Sequence, residues 1–387
     1  MDYDVIVIGA GIQGAAVAQA AAADGYNVLV LEQFDQPARG TSCKSSKLIH
    51  GGLRYLETGQ FSLVKECLDE RAFLLKNAPH LVRLVKFRIP VYKFTGRQPW
   101  KIFIGLCIYS LFSWKGFSRV RKNSWKKLDG LKTTDLKAVF SYYDAQTDDA
   151  HLTRSVLASA ETMDCETQYN ATVIGASLQE QQCSLTYQQG DSSHQVTTAT
   201  IVNATGPWVD RVSANIGEGE TKRDIDMVAG THIEVEGEIK EGMYYVEAHD
   251  GRVVFVMPWK GHTMIGTTEA PYLGDPALIE PMESEIEYLI TVYNKYFERQ
   301  LVKDDVINAW AGLRVLPVAK SSAFNRPRDT LMLTDRKKSP RVVSLYGGKL
   351  TAHRHMAQDV LKLIRSSLPE DRTKIADTKN LKLPVVD

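Results

Sequence analysis

The sequence predicts a mixed α/β fold, α+β overall, in which an antiparallel sheet is inserted into a domain built on a parallel sheet. Two observations lead to this prediction. The chain opens with a strand, a glycine-rich turn, a helix and a second strand, which is the pattern of a βαβ unit. Further along, strand-like runs at 244–248, 253–257 and 263–268 follow one another with short turns, as in an antiparallel meander.

The length and composition indicate a folded protein of two or three domains. The 387 residues are 44% hydrophobic and 24% charged, which excludes a disordered or fibrous chain. The five cysteines are an odd number without close pairs, so they predict neither a disulfide framework nor a C-x-x-C site and favour a reducing compartment. No basic stretch precedes the first apolar run, and no apolar run reaches 18 residues, so we expect a cytoplasmic protein without a signal peptide or membrane span.

The first segment predicts a Rossmann-like dinucleotide site. The β-branched run 4–8 stops at Gly9-Ala-Gly11-Ile-Gln-Gly14, and an alanine-rich helix follows. In such a motif Gly9 allows the tight turn, Gly11 lets a pyrophosphate approach the backbone, and Gly14 lets the helix pack on the strand. Glu32, at the end of the second strand, is placed to bind ribose hydroxyls. The acid argues against a 2′-phosphate and therefore against NADP, while NAD and FAD both remain open.

The segments that follow favour the longer of these two cofactors. Residues 41–55 are dense in serine, threonine and glycine, whose hydroxyls and backbone N–H groups suit an elongated cofactor such as FAD. Two later glycine-bearing segments, 199–208 and 342–351, each follow an apolar strand. The second precedes a helix-like run, so its turn could present backbone donors to the flavin O2 side.

These segments together resemble the FAD-dependent glycerol-3-phosphate dehydrogenases of the D-amino-acid-oxidase-like flavoproteins. The most specific match is Ser45-Ser-Lys-Leu-Ile-His-Gly-Gly-Leu-Arg-Tyr55. The other matching blocks keep the family's order and extend to about residue 370; they are 9–14, 202–209, 230–233, 254–259, 265–268, 311–314 and 347–351. The resemblance implies oxidation of sn-glycerol 3-phosphate to dihydroxyacetone phosphate by hydride transfer to flavin N5, with electrons passed to quinone or another acceptor.

The resemblance also implies a substrate site. Oxidation of a phosphorylated alcohol needs a cationic clamp for the phosphate and a base for the hydroxyl proton. Arg54 and Arg314 are assigned to the phosphate or the reacting oxygen, Lys349 to the flavin–substrate junction, and Tyr55 to a substrate hydroxyl. Thr267 and Thr268 offer further hydroxyls, of which Thr268 is assigned to substrate.

Two histidines are candidates for the base. Imidazole titrates near the working pH, and both His50 and His232 lie in matching blocks. His232 is preferred because it follows Gly230 on a strand expected to enter the substrate domain. Without the family context, a hydrogen-bonded core histidine is the commoner interpretation of either residue.

The same resemblance assigns the cofactor contacts. They fall in the nucleotide motif, the 41–51 segment and the later glycine segments. The residues are Gly9, Gly11, Ile12, Gly14, Glu32, Gln33, Thr41, Ser42, Ser45, Ser46, Lys47, Leu48, Ile49, His50, Gly51, Val173, Ala204, Thr205, Gly206, Trp208, Gly312, Arg314, Gly347, Gly348, Lys349, Leu350 and Thr351. No metal site is expected, because His353 and His355 are two apart on a probable helix and so face different directions.

Two departures from the family pattern leave alternatives open. Ala229 stands where the family usually has a basic residue, and the sequence resembles a form without the separate carboxy-terminal helical domain. The alternative activity is an FAD-dependent oxidase or dehydrogenase of another small hydroxy or amino acid. A flavin-binding assembly or membrane-interaction module without turnover is the rival from another class, and the combined presence of Arg54, His232, Arg314 and Lys349 argues against it. No nucleic-acid partner is predicted.

The predicted domains are discontinuous. The strand runs and glycine segments predict an FAD-binding domain, an inserted substrate domain and a short tail; these are 1–80, 145–225 and 306–372 for the first, 81–144 and 226–305 for the second, and 373–387 for the tail.

A basic segment lies inside the predicted substrate domain. The net charge is only +1, yet residues 71–128 contain no Asp or Glu and 14 Lys or Arg. Such segregation points to an anionic partner. Within 97–127, the apolar run 102–114 is bracketed by cations, which fits either a buried helix with a solvated rim or a contact with anionic lipid. The resemblance favours peripheral attachment to the inner face of the cytoplasmic membrane.

Overall fold

A computed structural model describes residues 1–180, 182–217, 225–318 and 330–386. Within these residues the helices are α1 (Ile12–Ala23), α2 (Phe61–Asn77), α3 (Pro99–Ser113), α4 (Asp149–Glu161), α5 (Val209–Ile216), α6 (Glu283–Tyr296) and α7 (His353–Ile364). The strands are β1 (Tyr3–Ile8), β2 (Val28–Leu31), β3 (Leu48–Ile49), β4 (Val82–Tyr92), β5 (Ser118–Arg119), β6 (Leu136–Thr147), β7 (Glu166–Gln168), β8 (Ala171–Leu178), β9 (Cys183–Gln189), β10 (Ser192–Asn203), β11 (Ile225–Val235), β12 (Met243–Glu247), β13 (Val253–Trp259), β14 (His262–Gly266), β15 (Ala270–Tyr272), β16 (Val306–Pro317), β17 (Leu331–Thr334) and β18 (Val342–Tyr346).

The first sheet is the parallel sheet that the sequence predicts. Its strand order is β17-β18-β10-β1-β2-β7, and β1 pairs in parallel with both β10 and β2. β1 and β2 are almost entirely buried, because helices and a second layer cover both faces of a parallel sheet. The antiparallel strands β8 and β9 extend the sheet beside β10.

Helix α1 lies at the centre of the main core. Its alanines are buried on nearly all sides, where they pack with apolar residues of α4 and α7. Small side chains permit this close approach, so the Ala-rich composition reflects packing as well as helix propensity.

The second sheet carries the other wall of the molecule. Its order is β15-β11-β14-β13-β12-β4-β6-β3, with β16 paired to β11 and β5 to β6. β12, β13 and β14 pair antiparallel in succession, which confirms the predicted meander. The long pair β4 and β6 was not predicted from sequence, and it joins the meander through a parallel contact between β4 and β12.

The predicted domain boundaries agree with the two sheets only in part. β3 and β16 belong to the second sheet, although the prediction placed both in the FAD-binding segments. The predicted segments 145–225 and 306–372 also include residues 181, 218–224 and 319–329, which lie outside the described residues. The division into domains therefore stays a prediction.

The last described segment packs against the parallel-sheet side. The backbone N–H of Ile375 donates to the carbonyl of Ala23 at 2.8 Å, and that of Leu383 donates to the carbonyl of Asn77 at 3.0 Å.

The search for membrane spans, confined to the described ranges, finds no helix that is both long and apolar enough to cross a bilayer.

Candidate active site

A single cleft runs between the two sheets and is lined by most of the predicted site residues. It begins at the carboxyl ends of β1 and β2, beside Gly11 and Glu32, and reaches β11 and β16 of the second sheet at His232 and Arg314. The carboxyl ends of parallel strands are where ligands bind in open α/β sheets. The predicted motifs, distant in sequence, thus meet along one elongated space.

The nucleotide end of the cleft has the geometry expected of the glycine motif. Gly9 has a φ of 98°, a left-handed conformation that favours glycine. A Cβ on Gly14 would overlap the carbonyl oxygen of Gly9, so α1 can approach β1 this closely only with glycine there. Glu32 accepts backbone hydrogen bonds from Ala10 at 2.6 Å and Phe34 at 3.0 Å, and burial raises its pKa. Its carboxylate is thereby fixed at the end of β2.

The donor set along the cleft fits a dinucleotide. Ile12 N–H donates to Ser42 Oγ at 2.9 Å, which holds the 41–46 loop over the start of α1. On the far side, Gly347 and Gly348 have φ of 74° and 109° and line the cleft at the β18–α7 turn. Backbone without side chains at both positions lets an elongated ligand lie directly against peptide N–H groups.

The middle loop is held to the second sheet and to helix α4. Thr41 Oγ1 donates to the carbonyl of Leu313 in β16 at 2.7 Å, and Ser45 N–H donates to Asp149 at 2.9 Å. Lys47 forms a buried ion pair with the same aspartate at 2.5 Å. This anchoring explains how a loop without long regular elements can form a defined wall of the cleft.

The substrate end collects the predicted cations. Arg54 and Lys349 line it, and the Lys349 ammonium lies 4.7 Å from the centre of the Tyr55 ring. Arg314 enters from β16 and forms an ion pair with Glu269 at 2.9 Å between Nη2 and Oε1. His50 lies beside this group, and its backbone N–H donates to Thr351 Oγ1 at 3.2 Å. An anionic group entering here would meet positive charge from three separate parts of the chain.

His232 is a buried, neutral histidine in this cleft. It is 2% exposed, and its ring stacks on Trp310 at 5.4 Å with an interplanar angle of 10°. Its Nε2 is 2.9 Å from Ser46 Oγ, and its buried Nδ1 has no hydrogen-bond partner in the described part of the chain. Burial, reinforced by the charges of Lys47 and Arg314, lowers its pKa to about 3. The imidazole is therefore uncharged at neutral pH, and one of its two ring nitrogens carries a lone pair that can accept a hydrogen bond.

His232 should make the folded protein sensitive to acid. Its pKa is near 6.5 when unfolded and about 3 when folded, so the unfolded chain binds the extra proton between these values. The contribution of His232 to the free energy of unfolding is therefore fully present above pH 6.5. It decreases as the pH falls, and about 2 kcal/mol of it is lost at pH 5. We expect His232→Asn to lose less free energy of unfolding than the parent between pH 7 and 5, measured by urea denaturation.

The control is His194→Asn, at an exposed histidine on β10. This variant should follow the parent at both pH values. Equal acid losses in His232→Asn and in the parent would contradict the prediction.

Several assigned residues lie outside the cleft. Gly14, Lys47, Ile49 and Gly51 are not among its lining residues. Ile49 is fully buried in the core, and a Cβ on Gly51 would meet Leu68. These residues lie behind the lining residues and pack against them, without facing the cleft.

The assignment of Thr268 to substrate is corrected. Its hydroxyl donates to the buried carboxylate of Glu285 and accepts from Thr231 N–H at 2.8 Å, so its only donor is used away from the cleft, which Thr268 does not line. Its neighbour Thr267 lines the cleft instead.

Other lining residues were missed from the sequence. Tyr245, Arg252 and Glu269 line the substrate end, although only sheet pairing brings them there. The run Met243–Glu247 of β12 shows no alternation that would single out Tyr245, and Arg252 and Glu269 each directly precede a strand, where no periodic signal exists. A search of the described ranges finds no group of three His, Cys, Asp or Glu that could hold a metal ion.

Comparisons with known proteins agree on one family. The sequence profile of the FAD dependent oxidoreductase (DAO) family matches residues 4–354. The chain is 37% identical over 372 residues to the aerobic glycerol-3-phosphate dehydrogenase of Escherichia coli (strain K12), covering 93% of this chain and 72% of that protein. It is 33% identical over 386 residues to the D-erythritol 1-phosphate dehydrogenase of Brucella abortus (strain 2308), covering 95% and 74%.

A solved structure shows the same architecture. The glycerol-3-phosphate dehydrogenase from Bacillus halodurans complexed with FAD superposes with a TM-score of 0.77 at 25% sequence identity. The match covers 99% of this chain and 68% of that one.

Proposed function

Because the chain belongs to the FAD-dependent oxidoreductase family, we propose that it oxidises sn-glycerol 3-phosphate to dihydroxyacetone phosphate. FAD is its cofactor, and the chain is a glycerol-3-phosphate dehydrogenase-like enzyme. The observation that carries the proposal is the presence of Arg54, Arg314 and Lys349, from three separate parts of the chain, in the lining of the cleft that also contains neutral His232. Three cations suit a phosphate, and a neutral imidazole suits the proton of an alcohol.

The reaction removes a hydride from carbon and a proton from the hydroxyl. Bound FAD supplies the hydride acceptor at N5. Arg54 and Arg314 would bind the phosphate oxygens, with Arg314 able to present two parallel N–H groups. His232 would take the hydroxyl proton: when its Nε2 donates to Ser46 Oγ, Nδ1 is the nitrogen that accepts. His50, which also lines the cleft, is the second candidate for this role.

Ala229 does not weaken the case for a phosphate. The residue is 2% exposed and is not part of the cleft lining, whereas the adjacent Gly230 is. The absence of a basic side chain at position 229 therefore removes no cation from the cleft lining, in which Arg54, Arg314 and Lys349 remain. The relative that acts on D-erythritol 1-phosphate supports the broader class of phosphorylated polyols. An oxidase or dehydrogenase of another hydroxy or amino acid is the alternative.

The test is spectroscopic. The purified protein should show a flavin spectrum, and glycerol 3-phosphate added without oxygen should bleach it. Absence of flavin would overturn the assignment as a whole. A flavin that lactate or amino acids bleach, but glycerol 3-phosphate does not, would favour the alternative activity.

The surface of helix α3 supports a membrane partner for the same enzyme. One side of α3 packs in the core through Ile102, Leu106 and Tyr109. The opposite side exposes five large apolar residues; these are Trp100, Phe103, Ile104, Leu111 and Trp114. Exposed cations accompany them in the sequence: Lys101 and Lys115 adjoin the apolar run, and Arg119, Arg121, Lys122, Lys126 and Lys127 follow it.

We infer that this surface, the α3 face, contacts an anionic membrane. The apolar side chains would enter the interface while the cations meet lipid headgroups, each contributing about 1 kcal/mol. Peripheral attachment at the inner face of the cytoplasmic membrane would bring the flavin site near quinone, the proposed electron acceptor. On this proposal, the protein resides in the cytoplasm and attaches to the membrane only through the α3 face.

Removing apolar area from the α3 face should weaken vesicle binding. We expect the double variant Leu111→Ser, Trp114→Ser to bind phosphatidylglycerol vesicles at least tenfold more weakly than the parent. Each parent side chain, once buried in the membrane interface, would contribute about 1.5–3 kcal/mol to the free energy of binding. Vesicle flotation at low salt measures the effect. The control is Leu278→Ser, at a residue that is 75% exposed outside the face. Parent protein that fails to float would overturn the membrane inference.

A further inference from the structure

An acidic residue faces the cations at the substrate end. Among the described residues that line the cleft, the carboxylates are Glu32, at the nucleotide end, and Glu269. The Glu269 side chain is 11% exposed, and its Oε1 lies 2.9 Å from Arg314 Nη2, whose side chain is 27% exposed. This ion pair therefore stands in the space that a phosphate would enter.

The sheet register explains why the two charges meet. β11 lies between β15 and β16, with Ala229 opposite Ala270 and Gly230 opposite Gly312. Glu269 directly precedes β15 and so comes beside Gly230 on one side of β11, while Arg314 lies opposite Val228 on the other side. A Cβ on Gly230 would lie 3.8 Å from Arg314 Nη2 and 2.5 Å from Thr267 Oγ1. The bare backbone of Gly230 leaves the path between the two side chains open.

The backbone of Glu269 is itself held in place. Arg252 Nη1 donates to the carbonyl of Glu269 at 2.8 Å, while Asp250 pairs with the same guanidinium at 2.6 Å. Asp250 is the ion-pair partner of Arg252, while the Glu269 carboxylate pairs with Arg314 and also adds negative charge near Arg252. The arrangement is a fixed pair of opposite charges on a rigid sheet.

We propose that the Arg314–Glu269 pair makes the site select phosphorylated polyols over simple oxyanions; this rests on the proposed function. An unpaired arginine would bind any oxyanion, including inorganic phosphate. With Glu269 in contact, an entering oxyanion is repelled by the carboxylate and must compete with it for Arg314. A polyol phosphate offsets this repulsion, because its hydroxyls can donate hydrogen bonds to Glu269 while its phosphate binds the cations. Glu269 is thus a specificity determinant and a positioning residue for Arg314.

The test compares inorganic phosphate with the substrate in the FAD-loaded enzyme. Glu269→Gln keeps the shape and removes the charge. We expect calorimetry to show inorganic phosphate binding about tenfold more tightly to this variant, while the KM for glycerol 3-phosphate rises about tenfold. Glu269→Asp, which keeps the charge but shortens the reach to Arg314, should shift both quantities in the same directions by a smaller factor.

A matched control and two distinct failures complete the design. Asp135→Asn removes an acid from the exposed pair with Lys93, outside the cleft, and should change neither quantity. Unchanged or weaker phosphate binding in both Glu269 variants would overturn the inference, even where glycerol 3-phosphate bleaches the parent flavin. A parent flavin that glycerol 3-phosphate does not bleach would overturn the proposed function, while the phosphate measurements would still report whether Glu269 excludes oxyanions. If Glu269→Gln does not retain its flavin, Glu269→Asp still shows whether phosphate affinity and the KM for glycerol 3-phosphate change in the expected directions.

Discussion

Replacing Arg314 by glutamine is expected to lower kcat/KM for glycerol 3-phosphate by about a thousandfold. The change removes a charged, two-pronged contact to the phosphate and leaves Glu269 in the cleft without its partner. Truncating one side of a buried charged contact costs about 2–5 kcal/mol, and about 4 kcal/mol corresponds to three factors of ten. Steady-state kinetics of the FAD-loaded variant, with the flavin content determined beside it, measure the loss.

Arg314→Lys separates charge from geometry at the same position. A lysine keeps the positive charge but cannot present two parallel N–H groups, so a loss of about ten- to a hundredfold is expected. The matched control is Arg299→Gln, which breaks an exposed pair with Asp305 outside the cleft and should leave kcat/KM unchanged. A flavin-loaded Arg314→Gln enzyme with kcat/KM within tenfold of the parent would remove Arg314 from the phosphate clamp.

The nucleotide end of the cleft could be predicted from sequence because its geometry is local. Gly9, Gly14 and Glu32 lie within one βαβ unit, and the structure shows the tight turn, the close helix and the fixed carboxylate that their spacing predicts. The substrate end depends on pairings between distant strands. Glu269 and Arg252 reach the cleft through the register of β11 with its neighbours and the end of β13, which no local pattern encodes.

The charge of the basic segment also could not be predicted from its own sequence, because folding brings acids from elsewhere in the chain into contact with it. Residues 71–128 contain no acid of their own, yet acids from elsewhere in the chain neutralise part of the segment. Arg71 is buried against Asp144, and Arg97 pairs with both Glu57 and Glu247. The charge count therefore overstates the basic surface. The exposed cations of the segment include Lys76, Arg83 and Lys86 on α2 and β4 as well as Lys101 and Lys115 beside the apolar run of α3. Two of these cations, Lys101 and Lys115, adjoin the exposed Trp100 and Trp114 in the sequence, which supports an anionic lipid surface as the partner of this part of the segment.

Replacing Gly14 by alanine is expected to abolish flavin binding and to lower the free energy of unfolding by about 3 kcal/mol or more. Helix propensity alone would favour alanine by about 1 kcal/mol at this position in α1. Packing decides the sign, because the new Cβ would overlap the Gly9 carbonyl oxygen and approach the Val7 side chain to 3.3 Å. Relief requires α1 to move away from β1, which displaces the backbone that shapes the nucleotide end. The flavin-to-protein absorbance ratio and urea denaturation measure the two effects.

Gly175→Ala, on β8, is the matched control for this prediction. A Cβ there would meet no atom within 4 Å, so the same chemical change occurs without a steric conflict. The control should retain flavin and keep the parent's free energy of unfolding within about 1 kcal/mol. If Gly14→Ala binds flavin as the parent does, then α1 can shift without disturbing the cofactor site. The close packing at Gly14 would then serve the core alone, and the position of α1 would no longer account for nucleotide binding.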